Sequence, residues 1–254
     1  MLLSIITVNK NNADGLAATL QSVAEQTFPQ LEQLVIDGLS SDNSMQVVKH
    51  FENGISYHCS ESDSGIYEAM NKGIEKAKGE YLLFLNSGDT LYSSTVLEEV
   101  FSQIDNKDLY YGNLLLTGKG GRLEQQAPAI LDLDVMLNST LWHPCTFIKR
   151  TLFEQLGYYN TDFKLAGDYE FFVRCFVKPG IRFQHVNNLV CAFDRSGLSN
   201  NPSNASLLSS ERNKAWRMNV SDEVYVSLKR YNRFTRSKYY NVYEWLEKLR
   251  GRTW

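Results

Sequence analysis

Residues 60–91, SESDSGIYEAMNKGIEKAKGEYLLFLNSGDTL, decide the fold. They read as loop, helix, buried strand and polar turn. Ile66, Ala69, Met70, Gly73, Ile74 and Ala77 recur at the three-and-four spacing of one apolar helix face. Gly79 is expected to end this helix, with Lys76 and Lys78 in its last turn, where cations suit the helix dipole. Tyr81 to Leu85 is apolar without alternation, as in a strand covered on both faces. Asn86-Ser87-Gly88-Asp89 follows at its carboxyl end. In an open α/β sheet that end is where ligands bind. The same four residue types also make a plain β-turn, so both readings stand here.

The pattern repeats towards the N-terminus. Leu2 to Val8 is a β-branched run, followed by polar Asn9-Lys10-Asn11-Asn12 and a helix face at Leu16, Leu20, Val23 and Ala24. Leu34 to Ile36 is a second strand, ending at Asp37-Gly38. Asp42 is an expected N-cap for a helix through Met45, Val48 and Phe51. Ile55 to Cys59 is a third strand. This alternation predicts a parallel, Rossmann-like sheet with right-handed crossovers over residues 1 to 90.

Beyond Asp89 the rhythm changes. A helix is expected at Val96 to Ile104, and a strand at Leu109 to Leu116 with a hairpin partner at Arg122 to Gln126. A further strand is expected at Trp142 to Ile148, a helix at Asp168 to Phe176, and short strands at Ile181 to His185 and Leu189 to Phe193. Residues 196–206 read as a loop. Residues 206–254 read as a helical C-terminal extension beside a domain of residues 1–205. From Glu211 onward basic residues outnumber acidic ones roughly two to one. Val224, Leu228 and Tyr231 share one face, and Tyr239, Val242, Tyr243 and Leu246 another. Packing on the core, self-association as a homo-oligomer and peripheral docking on anionic lipid are the uses such helices have.

Composition narrows the class. With 43% hydrophobic and 22% charged residues, the chain has the make-up of a folded globular domain, not of a disordered one. No run nears the roughly 18 apolar residues of a spanning helix. Met1 leads straight into a strand without a signal-peptide pattern, so a cytoplasmic setting is expected. A net charge of −3 gives no nucleic-acid footprint. Cys59, Cys145, Cys175 and Cys191 form no C-x-x-C pair and are expected to be reduced and buried.

Three acids fall where strands should end: Asp37, Asp63 and Asp89. Gathered in one cleft, they would suit a hard divalent cation and sugar hydroxyls.

The ordered motifs resemble glycosyltransferase family 2. They are Thr7-Val8-Asn9-Lys10-Asn11, the run from Val35 to Ser44, Asn71-Lys72-Gly73, and Gly79 to Asp89. Further on they are Trp142 to Arg150, Phe153 to Gly157, and Ala166 to Arg174. The resemblance covers residues 1 to 195. It implies a GT-A fold, a nucleoside-diphosphate sugar donor, a Mg²⁺ or Mn²⁺ cofactor and a saccharide or lipid-linked acceptor. It also implies bacterial surface polysaccharide assembly at the inner membrane face. By resemblance, Thr7, Asn9 and Asp37 line the base and ribose pocket. Asp63, Asn71 and Asn86 lie beside the nucleotide, Asp89 holds the metal, and Asp168 is the general base of an inverting displacement. Trp142 and His143 are candidates for acceptor or phosphate contact. Two departures thin the pattern. The family's acidic pair after the second strand is Asp37-Gly38, and its Asp-x-Asp motif is Asn86-Ser87-Gly88-Asp89. Asp168 as a helix N-cap, His143 as a satisfied polar residue and Trp142 as core are the structural readings beside these. Two other functions are a sugar nucleotidyltransferase, which wants a glycine-rich loop after the first strand, and a non-catalytic nucleotide-sugar-binding protein.

Overall fold

The computed structural model describes residues 2–118, 121–194 and 202–237. The β-branched run near the N-terminus becomes β1 (Leu3–Asn9), all seven residues buried. It pairs in parallel with β2 (Leu31–Asp37) on one side and β4 (Tyr81–Phe84) on the other. β3 (Tyr57–Ser60) extends the parallel run from β2. The connecting helices are α1 (Ala13–Ala24), α2 (Ser44–His50) and α3 (Ile66–Lys76). Strands buried on both faces need no polar alternation, which is why their sequences read as unbroken apolar runs.

The order of the whole sheet is β3-β2-β1-β4-β8-β6-β9-β5. β8 (Thr146–Lys149) runs antiparallel to β4 and to β6 (Leu109–Thr117). β6 pairs in parallel with β9 (Phe183–Asp194), and β9 is antiparallel to β5 (Thr90–Leu91). β7 (Leu123–Gln125) forms the expected hairpin with β6. The helices of this half are α4 (Val96–Phe101), α5 (Leu133–Asn138), α6 (Thr151–Leu156) and α7 (Gly167–Val177). Apolar side chains fill both sheet faces, with Ile6, Phe84 and Ile148 in one cluster and Ile5, Leu83 and Phe147 in the other.

Several boundaries differ from the sequence expectation. α3 ends at Lys76, with Ala77 already extended. Gly79 is needed for a different reason: a Cβ there would lie 2.5 Å from the Ser4 nitrogen of β1. Its N–H donates to Ser4 Oγ instead, at 2.7 Å. Asn43, not Asp42, occupies the cap position of α2, and Asp42 accepts from Ser44 N and from Ala13 N of α1. The stretch expected as one strand from Trp142 begins with a 3-10 turn at His143–Cys145, set by Pro144, which has no N–H for a ladder. The two strands expected at Ile181 to His185 and Leu189 to Phe193 are one strand, β9 (Phe183–Asp194), whose register to β6 shifts around Asn113.

α8 (Ala205–Asn219) and α9 (Asp222–Thr235) follow a 3-10 turn at Pro202–Asn204. α8 packs on α7: Trp216 Nε1 donates to the Tyr169 hydroxyl at 2.8 Å, and Asn219 Nδ2 to Glu170 Oε1 at 2.9 Å. Buried Glu211 accepts from the backbone N–H groups of Lys164, Leu165 and Ala166, at 2.8 to 2.9 Å. Those residues lead directly into α7. Tyr239, Val242, Tyr243 and Leu246 lie outside the described residues. No helix among the described residues is long and apolar enough to cross a membrane, and all four cysteines are free thiols.

Glu211→Ala removes the acceptor of three backbone N–H groups, of which that of Ala166 is buried. It is expected to cost roughly 3 kcal/mol or more in urea unfolding, and Glu211→Gln less, because a buried donor left unpaired costs about 1–3 kcal/mol. A wild-type unfolding curve for Glu211→Ala would refute the brace.

Candidate active site

The parallel register builds the first half of the site. Asn9 pairs with Asp37, and Asp37 with Ser60, so three polar side chains stand in a row at the carboxyl edge of β1, β2 and β3. Asp37 is fully buried. Its Oδ1 accepts from Asn9 Nδ2 at 2.8 Å and from Ser40 Oγ, and its Oδ2 accepts from Ser40 N at 2.9 Å and Ser60 Oγ at 2.6 Å. Burial works to raise its pKa, but these donors outweigh burial and hold it below the ordinary value. Asp37 is therefore a buried anion whose lone pairs are occupied. Asn9 Nδ2 also reaches Ser44 Oγ at 2.8 Å, while Asn9 Oδ1 is buried with no partner among the described residues.

The other residues expected on the donor side are spread more widely. Half-buried Asp63 hangs over Gly38, where a Cβ would lie 2.6 Å from its Oδ2, and its Oδ1 accepts from Gly65 N at 3.1 Å. Thr7 lies one pleat deeper in β1, fully buried, and accepts from Gln33 Nε2 at 3.3 Å. Asn71 donates to Tyr159 O at 2.9 Å and accepts from Tyr159 N at 3.0 Å. Its amide thus ties α3 to the loop ahead of α7. Leu39 is 62% exposed with φ of +58°, a conformation that costs a bulky residue about 1–2 kcal/mol.

The second half is organised around the turn after β4. Asp89 is nearly buried, its Oδ2 accepting from Asn86 N at 3.1 Å. α1 fixes this turn, since Asn12 Nδ2 donates to Ser87 O at 2.9 Å and Gly88 N donates to Thr19 Oγ1 at 3.0 Å. His143 faces the turn. Its Nε2 is 3.0 Å from Asn86 Nδ2 and 4.0 Å from Asp89 Oδ2. Its Nδ1 is 3.2 Å from Asp168 Oδ2.

Asp168 is the second residue of α7, behind Ala166 at the cap position. Its Oδ1 accepts from Tyr169 N at 2.9 Å and the Tyr67 hydroxyl at 3.1 Å. Gly167 permits this arrangement, because a Cβ there would lie 2.8 Å from the Tyr67 ring. Burial is the largest influence on Asp168 and opposes its ionisation, but the bond and charge of His143 together with the bonds from Tyr169 N and Tyr67 outweigh it, and the carboxyl sits below its ordinary pKa. Burial likewise opposes the His143 cation, and Asp168 together with the Asp89 charge reverses that, holding the imidazole above its ordinary pKa. Nε2 faces the Asn86 amide through Nδ2, and Asn86 Oδ1 is buried with no partner among the described residues.

The three acids at strand ends do not gather. β1 separates β2 from β4, so two strand spacings, about 9–10 Å, lie between the ends that carry Asp37 and Asp89. Among the described residues no group of three or more His, Cys, Asp or Glu side chains could hold a metal ion. What remains for a cation is the Asp89 carboxylate with Asn86 Oδ1 beside it. Sequence reasoning missed Ser60, Tyr67 and Thr19, and it gave Ser40 and Ser44 no role although both lie in the motif from Val35 to Ser44. Of the missed residues Ser60 carried a usable signal, as the polar residue directly after the run that forms β3.

Residues 4–186 match the model of Glycosyl transferase family 2. The chain is 31% identical over 207 residues to a PGL/p-HBAD biosynthesis glycosyltransferase of Mycobacterium tuberculosis, covering 78% of this chain and 79% of that protein. Among solved structures, S. aureus TarS 1-349 in complex with UDP-GlcNAc superposes with a TM-score of 0.71 at 17% identity, over 94% of this chain and 74% of that fragment. The mannosyltransferase PcManGT of Pyrobaculum calidifontis, in complex with GDP-Man and Mn²⁺, gives 0.58 at 16% identity, over 95% of this chain and 82% of its own.

Asp37→Asn places an NH₂ group against donors and is expected to cost about 1–3 kcal/mol at neutral pH. The folded pKa of Asp37 lies below the unfolded value of about 3.9, so its contribution is complete above that value and is lost as pH falls through the folded one. Urea unfolding of both proteins should show a gap that is constant from pH 5 to 7 and closes in more acidic buffer. A pH-independent gap would show that charge is not what Asp37 supplies.

Proposed function

The chain belongs to glycosyl transferase family 2, and on that premise we propose that it moves a sugar from a nucleoside-diphosphate donor to an acceptor hydroxyl with inversion, Asp168 being the general base. The supporting observation is the placement of Asp168. Of its four lone-pair positions, Tyr67, Tyr169 N and His143 occupy three, which leaves one on Oδ2 for an acceptor hydroxyl. A carboxylate held from three sides is aimed before substrate arrives, and a base so placed contributes typically 10²–10⁴-fold. His143 keeps the carboxylate anionic and links it to the Asn86–Asp89 turn. When the proton reaches Asp168, His143 still has a second carboxylate, Asp89, within 4.0 Å.

The nucleotide belongs at the carboxyl edge of β1 to β3. Asn9 and Asp37 shape its floor, and Asp63 and Leu39 its rim. TarS has been solved with UDP and with UDP-GlcNAc, and PcManGT with GDP-Man and Mn²⁺, which supports such a donor. Asp89 and Asn86 Oδ1 would hold Mg²⁺ or Mn²⁺, an ion that often takes one or two carboxylates and completes its shell with substrate phosphates and water. When bound, such an ion supplies positive charge to the leaving diphosphate. The sugar nucleotidyltransferase reading has less support, because Lys10-Asn11-Asn12 after β1 carries no glycine. We place the acceptor in surface polysaccharide or lipid-linked glycan synthesis at the cytoplasmic membrane face. α9 supports peripheral attachment, with Val224, Val226, Tyr231 and Phe234 exposed among Lys229, Arg230 and Arg233.

Asp168→Asn keeps the size of the side chain and removes its basicity. Sugar transfer should fall by on the order of 10²-fold or more, with donor affinity unchanged. Unaltered transfer would remove the base from Asp168. Asp89→Asn should abolish most Mn²⁺-stimulated turnover while the unfolding midpoint stays near wild type, and equal rates at saturating Mn²⁺ would take the metal role away. Co-sedimentation with anionic vesicles should be strong at low salt and fall as salt is raised. No binding at low salt would leave α9 to self-association.

A further inference from the structure

α8 and α9 close a cavity of about 40 Å³ against α5 and α7, away from the residues assigned to donor and base. Tyr169, Arg212, Trp216, Tyr225, Lys229 and Asn232 are among the residues that line it. Its frame is fixed by hydrogen bonds. Trp216 Nε1 donates to the Tyr169 hydroxyl at 2.8 Å, and that hydroxyl donates to Met136 O at 2.5 Å, joining α8, α7 and α5. The Tyr225 hydroxyl reaches Asn213 Oδ1 at 3.3 Å, joining α9 to α8.

The charges in this frame do not balance. Two lining residues are cationic and none is acidic. Half-buried Arg212 lays its guanidinium over the Tyr169 ring, 4.9 Å from the centroid. It makes no ion pair or hydrogen bond among the described residues, and its Nε is buried without a partner. Arg174 shows what a well-held arginine has in the same protein. It pairs with Glu170 at 2.9 Å and donates to the carbonyls of Leu156, Gly157 and Tyr158. Lys229 Nζ meets only a neutral acceptor, Asn213 Oδ1, at 2.9 Å. Glu211, the acid next to Arg212, is spent on the three backbone N–H groups before α7. A guanidinium withdrawn from water without an anion is costly, and stacking on a ring offsets only part of that cost.

We propose that this cavity is a phosphate site, with Arg212 of α8 and Lys229 of α9 supplying the charge. Size and chemistry agree. About 40 Å³ admits roughly three water-sized groups, which suits the free oxygens of a phosphate ester and not a sugar ring. Arginine presents a fork of donors to such oxygens, and lysine adds a point charge from the second helix. Asn232 Oδ1, also buried without a partner, is an acceptor for a hydroxyl carried beside the phosphate. The ligand class is therefore a phosphate ester with an adjacent hydroxyl, as in a glycerophosphate unit, free in solution or as a lipid headgroup.

The test uses the full chain. ¹⁵N–¹H NMR of the arginine side chains is followed while inorganic phosphate or glycerol 3-phosphate is added, with potassium chloride at matched ionic strength as control. The Arg212 Nε–H signal should move saturably with glycerol 3-phosphate and not with chloride. Lys229→Gln should weaken that binding about tenfold, the size expected when one hydrogen bond between charged groups is lost. Arg230→Gln removes the same charge from an exposed position of α9 and should change the affinity less than twofold. Both substituted residues are exposed, and unchanged thermal midpoints report that the variants are folded. Phosphatidylcholine vesicles with and without phosphatidylglycerol separate the two sources. A loss of phosphatidylglycerol-dependent binding in Lys229→Gln that Arg230→Gln does not share assigns the site to a lipid headgroup. Glycerol 3-phosphate binding without that difference assigns it to a soluble ester. The site is overturned if neither phosphate moves the Arg212 signal saturably, if chloride moves it equally, or if Arg230→Gln weakens binding as much as Lys229→Gln.

Discussion

The site depends on one buried negative charge. Asp37 is an anion with no exposure to solvent, and an unpaired charge there would cost several kcal/mol. Its four donors come from β1, β3 and the loop that begins α2, so neutralising it requires those three elements to meet at one point. The parallel register provides the meeting, because Asn9, Asp37 and Ser60 are matched partners across adjacent strands. A register slip of one residue would turn Asn9 and Ser60 to the opposite face and leave the charge stranded. The same contacts that satisfy Asp37 therefore lock the edge on which a nucleotide would sit.

The second half of the site is joined to the first through β1 and α1, not through a shared metal cage. Asn12 and Thr19 of α1 hold the Asn86–Asp89 turn, while Asn12 also caps its own helix through Gly15 N at 3.2 Å. His143 then spans from that turn to Asp168. It brings together the end of the parallel half and the first turn of α7, two regions that belong to different parts of the mixed sheet. His143 thus bridges the two carboxylates, 3.2 Å from Asp168 and 4.0 Å from Asp89.

The C-terminal helices extend this arrangement. Glu211 of α8 fixes the three residues before α7, and Trp216 and Asn219 fix its first turn. Asp168 is aimed from behind by a segment whose sequence suggested an appendage. Tyr67 on α3 aims it from the front, through the gap that Gly167 leaves.

Sequence alone determined the elements and the edge they share. Apolar runs meeting polar residues marked the ends of β1, β2 and β4, and so placed Asn9, Asp37 and the Asn86–Asp89 turn on the carboxyl side of a sheet. The ordered motifs were enough to suggest the family. Tertiary structure decided which of these residues meet. It interposed β1 between the acids of β2 and β4, joined Asn71 to Tyr159 across 88 residues, and set His143 against Asp168 across 25. It also turned Gly79 from a helix stop into a close contact with Ser4. The physical reason is range. Periodicity and capping report on neighbours within a turn or a strand. A hydrogen bond between distant residues depends on strand order and on which faces pack, and no local stretch of the chain encodes these.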